Sequence, residues 1–513
     1  MAAKQREISV SEFFSKNRHL LGFDNPSKAL LTTVREAVDN SLDACEEAGI
    51  LPDLLVEIHR LAEDRFRVVV QDNGPGIVRQ QIPKIFGRLL YGSKFHSLKQ
   101  SRGQQGIGIS AAGMYGVLTT GKPFVVISRT GKGRPAHHVE LVMNTKKNQP
   151  DILRDEETAW EPEHGTRIEI TLQGIYKKGR HSVDGYLRQI AIANPHARIA
   201  YRSPDPEDDL TVFERVADEL PPEPLEIKPH PHGVELGMLL KMLKETTYRD
   251  VFTFLQKEFS RVSPRVAGEL LAEAAIPVRA RSAQIEAHAA ERLHQALGKV
   301  KIMAPPTNCI SPIGEDLLLR ALQQEVRADF YATVTRPPSV YRGNPFQVEV
   351  GIAYGGDLSS EDLVTLYRYA NRVPLQYQQS SCAITKAVLN VDWKSYQIAQ
   401  SRGALPSGPA VLIVHVASVW VPFTSESKEA VAHYPEILKE IRLALQEAGR
   451  RVSLHIGRTR RDREEGKKRT YIQKYIPHIG AALQEILKLS DPERDKTVAV
   501  LIDVLERSRS GGE

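Results

Sequence analysis

Cysteine is scarce in this chain. Among 513 residues only Cys45, Cys309 and Cys382 occur. An odd, scattered set excludes a disulfide framework, offers no zinc-ligand spacing and fits a reducing cytoplasm. The N-terminal stretch lacks an apolar signal core. The most apolar run, 410–423, is interrupted by His415 and Ser418 and is rich in β-branched residues. It is too short to span a bilayer and predicts a buried strand, so no membrane partner is expected. A strong excess of one charge is also missing. The net charge of +6 and pI of about 9.0 are compatible with a polyanion partner without implying one. No Gly-x-x-x-x-Gly-Lys-Ser/Thr phosphate loop is present, so any nucleotide site belongs to another fold. With 41% hydrophobic and 26% charged residues the composition is ordinary globular, and the length suffices for about three domains.

What is present starts with Thr33-Val34-Arg35-Glu36-Ala37-Val38-Asp39-Asn40-Ser41-Leu42-Asp43-Ala44. A helix here puts Glu36 and Asn40 one turn apart on one face, with Asp43 close by. Val34, Ala37, Val38, Leu42 and Ala44 fit the rest for burial. A carboxylate and an amide on such a helix are costly unless paired or used. The Glu could draw a proton from an attacking water, and the Asn oxygen could hold a metal. Taken alone, the pair reads first as a solvated stripe. Asp24-Asn25-Pro26-Ser27 predicts the helix start and Gly49 its stop. Residues 4–24, anchored by Phe13, Phe14, Leu20, Leu21 and Phe23, read as an arm that packs on something else.

Two strand-like runs follow, 54–60 and 65–71. The second leads into Asp72-Asn73-Gly74-Pro75-Gly76-Ile77. A carboxylate at a strand end, beside glycines that let backbone approach closely, can accept a hydrogen bond from an exocyclic amine such as that of adenine. Next come Phe86-Gly87-Arg88-Leu89-Leu90-Tyr91-Gly92-Ser93-Lys94 and Arg102-Gly103-Gln104-Gln105-Gly106-Ile107-Gly108-Ile109-Ser110-Ala111-Ala112. Three glycines before a small-residue helix start make a phosphate cradle of free N–H groups and a helix dipole. Gly106-x-Gly108-x-x-Ala111 also matches a dinucleotide fingerprint, but no strand precedes it.

Further strands are expected at 124–129, 138–143 and 166–172. Lys177-Lys178-Gly179-Arg180 is a basic loop that reads first as a solvated hairpin tip. Residues 203–231 are rich in Pro, Asp and Glu and end near a domain boundary. Helices are expected at 236–243, 248–259, 264–274 and 282–298, and Pro305-Pro306-Thr307 marks a second boundary. Beyond it, 346–353 and 410–421 read as strands, and 361–369 and 425–448 as helices. Lys428 falls where a loop enters the last of these. Residues 458–469 are a dense charge run, expected as an exposed link. Residues 471–489 read as an amphipathic helix suited to docking on a partner.

Three motifs now stand in order: Glu36-x-x-x-Asn40-x-x-Asp43, Asp72-x-Gly74-x-Gly76 and Gly103-x-x-Gly106-x-Gly108. Each is weak alone, and together they resemble the Bergerat-type (GHKL) ATPases, which include gyrase, histidine kinases, a chaperone class and mismatch-repair proteins. The wording around them is similar, over nearly the whole chain, to the B subunits of the type IIB DNA topoisomerases (topoisomerase VI). That similarity includes Glu12-Phe13-Phe14, Gly22-Phe23-Asp24-Asn25-Pro26, His230-Pro231-His232-Gly233, Arg336-Pro337-Pro338, Asn371-Arg372-Val373-Pro374-Leu375 and Tyr471-Ile472-Gln473-Lys474-Tyr475-Ile476-Pro477.

The resemblance implies an α+β chain. A Bergerat ATPase α/β sandwich is followed by an inserted helix-two-turns-helix domain and an α/β transducer domain with a left-handed βαβ crossover. The corresponding segments are an N-terminal arm that straps a dimer (1–24), the ATPase (25–229), the helical insert (230–306), the transducer (307–457) and a linker and helix docking the A subunit (458–513). It implies ATP and magnesium as ligands. Glu36 would be the general base and Asn40 the one protein ligand to magnesium. Asp72 would read adenine, with Gly76 in its turn. Gly103, Gln104, Gln105, Gly106, Ile107, Gly108, Ile109 and Ser110 would form the phosphate lid, flanked by Ser93 and Lys94. Lys428 would be the transducer lysine that reaches the γ-phosphate. DNA contacts would come from Lys178 and Arg180, in a loop ending here in His181, and from Trp393, Lys394 and Tyr396. ATP would close two copies into a dimer around a DNA duplex. An A subunit would cut a second duplex in a heterotetramer of two A and two B chains, located in the cytoplasm on the nucleoid. No acidic metal cluster for cutting DNA is seen in this chain. A mismatch-repair-like or chaperone-like ATPase is the alternative. A sensor kinase would need a phospho-acceptor His helix, and none is seen. A DNA-binding scaffold would have no need of Glu36 and Lys428 together.

Overall fold

The computed structural model describes residues 8–92, 97–103, 106–144, 146–179, 181–425 and 427–507. The chain forms two compact units. The first runs to Ala448 apart from Ser395–Gln397, and the second comprises Ser395–Gln397 with Gly449 onward.

The first unit opens with a short helix, α1 (Val10–Lys16), and a 3-10 turn at Arg18–Leu21. Leu21 and Phe23 enter the core, and Phe23 stacks on Tyr115 at 5.1 Å. Helix α2 (Pro26–Glu47) follows. Its cap is local chemistry: the Asn25 side chain accepts from Lys28 N at 2.9 Å, and Pro26 has no N–H to leave unpaired. Gly49, at φ +71°, ends it in the left-handed conformation. Strands β1 (Asp53–Ala62) and β2 (Arg65–Asp72), helices α3 (Ile82–Gly87) and α4 (Gly108–Thr120), strands β3 (Phe124–Arg129), β4 (Ala136–Asn144), β5 (Gln149–Thr158) and β6 (Gly165–Gln173), helix α5 (Val183–Ala193), and strands β7 (Arg198–Arg202) and β8 (Thr211–Phe213) complete the first layer pair. The eight strands run in the order β5-β4-β3-β6-β2-β1-β7-β8, antiparallel except for β1 with β7. Burial alternates along β3 and β6, as expected for a sheet with one face covered. Ala29, Leu30, Val34, Val38 and Leu42 of α2 join Val56, Val68, Ile170, Leu187 and Ile190 in that core.

Helices α6 (Leu236–Glu245), α7 (Val251–Glu258), α8 (Pro264–Glu273) and α9 (Ala287–Lys299) close around a cluster of their own that includes Phe254, Leu270 and Leu293. The expected helix at 282–298 begins later, because 282–284 make a 3-10 turn. Helix α10 (Glu315–Glu325) leads to β9 (Phe330–Thr335), β10 (Ser339–Tyr341), β11 (Asn344–Tyr354), β12 (Thr365–Ala370) and β13 (Val373–Pro374). Helix α11 (Ala383–Leu389), the short pair β14 (Ala399–Gln400) and β15 (Pro406–Ser407), and β16 (Ala410–Ser418) follow. The second sheet runs β10-β11-β16-β12-β13, with β9 also paired to β11. Every residue of β16 is buried, as suits a central strand.

Three expectations are corrected here. Residues 361–369 are not a helix, because Thr365–Ala370 is strand β12, parallel to β16. Leu366 and Arg368 are buried beside half-buried Thr365 and Tyr367, Tyr369 and Ala370 are both buried, and Arg368 Nη2 donates to Leu375 O at 2.8 Å and Tyr377 O at 2.9 Å. The described residues of 425–434 are not helical either. Helix α12 (Pro435–Leu487) starts at Pro435, which suits a first turn, so Lys428 lies within a loop and not at a helix entry. The charge run 458–469 is not a link but part of α12, an exposed stretch of good helix formers. Helix α13 (Asp491–Arg507) follows in the second unit. Among the described residues no helix is long and apolar enough to cross a membrane.

Candidate nucleotide site

A cavity of about 630 Å³ opens between α2 and the start of α4. That volume suits a drug-sized or nucleotide-sized ligand. Glu36, Asn40, Asp72, Gly76, Gly103, Gly106, Ile107, Gly108, Ile109, Ser110 and Lys428 all line it. Ser93, Lys94, Gln104 and Gln105 lie outside the described residues.

One wall is α2. Arg35 Nη2 donates to Glu36 Oε1 at 3.0 Å and fixes that oxygen. The other oxygen, Oε2, lies against Gly108. A Cβ placed there would stand 1.7 Å from it, so only glycine lets the two elements meet. Burial works against the Arg35 charge, but Glu36 and Asp39 outweigh it and raise the guanidinium further. Asp39 does not line the cavity and accepts from Tyr186 Oη at 3.1 Å. Burial and then the Glu36 charge push it up to about 7, against the pull of Arg35, Arg102 and Lys428.

The floor is Asp72. Its Oδ1 accepts from Gly74 N at 2.9 Å and Thr166 N at 3.0 Å, and its Oδ2 from Ser41 Oγ at 2.9 Å. Burial nevertheless pushes this carboxyl up, outweighing those three bonds. Around it Ala44, Val70, Ile77 and Ile168 supply apolar wall. Gly76 sits at φ +71°, and a Cβ there would stand 2.0 Å from Arg129 O. The bare backbone lets the turn close on β3.

The residues ahead of the expected lid form a fixed root. Gln100 exchanges two 2.8 Å bonds with the backbone of Ser311, and Ser101 O accepts from Asn371 Nδ2 at 3.1 Å. Arg102 is buried between Asp43 (2.8 Å) and Glu46 (2.6 Å) and also donates to Asn194. Burial opposes its charge, but Glu46 and Asp43 raise the guanidinium well above its ordinary range. Burial likewise opposes ionised Glu46, and Arg102, His196 and Arg372 outweigh it and hold that carboxyl well below its ordinary range. Above the root, α4 points its N-terminus at the cavity, where N–H groups and dipole favour an anion. Lys428 also lines the cavity, with its Nζ donating to Arg102 O at 3.0 Å.

Sequence reasoning missed Arg35, Ser41 and Thr166. Ser41 follows Asn40 directly and Thr166 follows the Gly165 turn, so proximity to the motifs was the one available signal. The DNA-contact expectations fare less evenly. Lys178 is exposed but paired with Asp208 at 2.7 Å and Asp205 at 3.2 Å. Arg180 lies outside the described residues, and His181 stacks on Tyr377 at 5.9 Å. The expectation for Trp393 is corrected: it is fully buried in a 3-10 turn, and its Nε1 donates to Val388 O at 2.9 Å, so it is a core side chain and no surface contact. Lys394 is exposed and Tyr396 half-buried.

A magnesium ion suits the donors present. Among the described residues no group of three or more acidic, His or Cys side chains gathers into a cage. Exposed Asn40 is instead a single amide oxygen beside a phosphate-type lid, the arrangement of an ion held mainly by phosphates and water.

Comparison with known proteins agrees with this geometry. Residues 25–174 match the family described as histidine kinase-, DNA gyrase B-, and HSP90-like ATPase. Residues 305–468 match the family described as Topoisomerase VI B subunit, transducer, which sets aside the mismatch-repair-like and chaperone-like alternatives. The B subunit of the type 2 DNA topoisomerase 6 of Methanococcoides burtonii is 50% identical over 500 residues, covering 97% of this chain and 80% of the relative. That of Archaeoglobus fulgidus is 50% identical over 510 residues, covering 99% and 84%. That of Natronomonas pharaonis is 36% identical, covering 95% and 84%. The chain therefore belongs to the family of type 2 DNA topoisomerase 6 B subunits, and its nucleotide-binding ATPase fold serves an ATP-driven type II DNA topoisomerase.

Proposed function

We propose that the cavity binds ATP with magnesium and that hydrolysis there drives a clamp on double-stranded DNA. One observation carries this reading: Glu36, Asn40, Asp72, the lid glycines and Lys428, distant in sequence, line a single cavity. Asp72 Oδ2 takes the adenine amine while Ser41, Gly74 and Thr166 hold its geometry. The glycine lid and the N-terminus of α4 cradle the phosphates. Asn40 would hold magnesium, which would supply positive charge against the phosphates. Arg35 pins one oxygen of Glu36, leaving Oε2 to accept a proton from the attacking water. Lys428 places a point charge at the terminal phosphate.

Two copies close through their ATPase segments when ATP binds, with the arms 1–24 as straps. A topoisomerase VI-type A subunit docks on 458–513 and cuts DNA, in a heterotetramer of two A and two B chains on the cytoplasmic nucleoid. The segments 25–229, 230–306 and 307–457 act as ATPase, helical insert and transducer. Lys178, Arg180, Lys394 and Tyr396 contact DNA, the charged ones through phosphates and with steep salt dependence.

Glu36→Ala tests the base. Steady-state hydrolysis should fall by roughly 10²–10⁴ while affinity for a non-hydrolysable ATP analogue is kept. Unchanged hydrolysis removes Glu36 from the role.

A further inference from the structure

The loop that carries Lys428 is held in an unfavourable shape. Lys428 has φ +52°, the left-handed region that a side-chain-bearing residue rarely adopts. Such a conformation persists only where the surroundings impose it. Part of the constraint is the loop's own neck. Thr424 N donates to Ala430 O at 2.9 Å, Lys428 N to Ser425 O at 3.1 Å, and Ala432 N to Pro422 O at 2.7 Å.

The rest comes from α2, the helix that bears Glu36 and Asn40. The neighbour of Lys428, Glu429, is only 2% exposed, and its Oε1 lies 2.6 Å from Lys28 Nζ. Lys28 is itself largely buried, lies 3.1 Å from Asp24, and sits 5.1 Å above the Tyr377 ring. Two turns along α2, Arg35 Nη1 donates to Ser427 O at 3.4 Å. Residues seven apart share a helix face, so one face of α2 grips the loop on both sides of Lys428. A buried carboxylate in this place is stable only with its cation. Through the Glu429 carboxylate and the Ser427 carbonyl, α2 thus holds both residues that flank the backbone kink from which Lys428 reaches Arg102 O.

We propose that the Lys28–Glu429 ion pair is a positioning device for Lys428 in hydrolysis. The inference rests on the reading of Lys428 as the lysine that meets the terminal phosphate. Neither Lys28 nor Glu429 lines the cavity, so both act through Lys428. The pair ties the lysine to the helix that carries the proposed base, so base and lysine approach a bound nucleotide in fixed register.

The test is steady-state ATPase kinetics on the full chain, with analogue binding and Tm measured in parallel. The variants are Lys28→Met, Glu429→Gln, Lys28→Arg, the double Lys28→Met/Glu429→Gln, Lys428→Ala and Lys428→Ala/Glu429→Gln. Misplacing a catalytic group by about 1 Å is worth up to about a hundredfold, so Lys28→Met and Glu429→Gln should each lower kcat about ten- to a hundredfold with KM for ATP little changed. Lys28→Arg should keep most of the activity. The Lys28→Met/Glu429→Gln double should be no slower than either single, and adding Glu429→Gln to Lys428→Ala should cost nothing further, as for groups acting as a unit. If Lys428→Ala lowers kcat and the Lys28 and Glu429 singles do not, the positioning role is wrong and the reading of Lys428 stands. If Lys428→Ala leaves kcat unchanged, the reading of Lys428 itself fails. A loss of kcat in the singles that only tracks a fall in Tm, or that adds fully to the loss in Lys428→Ala, also overturns the inference.

Discussion

At the scale of single residues, two lid glycines that look alike in the sequence differ in what surrounds them. A Cβ at Gly108 would stand 1.7 Å from Glu36 Oε2 and 2.4 Å from its Cδ, whereas at Gly103 the nearest atom is Asn40 Oδ1 at 3.8 Å. Gly108→Ala must therefore displace the proposed base and should cut ATPase activity by about 10² or more. Gly103→Ala meets ordinary contact, and its rate should change by about twofold or less, the equivalent of the ±0.5 kcal/mol expected where nothing is forced. Steady-state ATPase assays on the two variants compare them directly, and equal losses would refute the steric account. The sequence made the glycines legible as a group, because phosphate cradles need bare backbone. It could not rank them, because the rank is set by a carboxylate some seventy residues earlier that only the fold brings near. Lys428 was likewise invisible locally: an exposed-looking lysine in a polar stretch was singled out by the family resemblance alone, and the fold then brings it to the cavity and to Arg102 O. Trp393 erred the other way, since a surface motif was read where an indole fills the core.

Among the elements, α2 matters most, since its first turn holds Lys28 and its middle holds Glu36 and Asn40. Its start rests on the Asn25 side chain, which accepts from Lys28 N at 2.9 Å. Asn25→Ala should cost about 1 kcal/mol of stability, read as a lower urea midpoint with an unchanged slope. An unaltered midpoint would mean that tertiary packing alone sets the helix start. This helix was legible from end to end, because cap, proline and terminal glycine are all local signals. Strand β12 was not. Glu361 and Asp362 ahead of leucines mimic a helix start, and the buried Arg368 finds its acceptors, Leu375 O and Tyr377 O, only beyond β13. Edge strand β5 gave no signal for a related reason: none of its residues is buried, so no alternation of burial is written in its sequence. Helix α12 was read as three pieces because its charged middle has no apolar stripe to follow.

For the whole molecule, the second unit presents Tyr471, Tyr475 and Ile479 at 62%, 49% and 46% exposure along α12. Exposed aromatics one turn apart suit the proposed docking of an A subunit. Tyr475→Asp should abolish co-purification with that partner and leave intrinsic ATPase activity intact; retained co-purification would place the docking surface elsewhere. The nucleotide site, by contrast, is assembled from both ends of the first unit. The bond from Arg35 to Ser427 O joins residues 392 apart in sequence. Closing so long a flexible loop costs about 5 kcal/mol of chain entropy, by (3/2)RT ln n. During synthesis from the N-terminus, every other wall of the cavity, from Leu21 to Ile168, leaves the ribosome well before Ser427 and Lys428 do. Translation thus delivers the cup first and its lysine last, so an unfinished chain carries most of the cavity before it has the lysine proposed to meet the terminal phosphate.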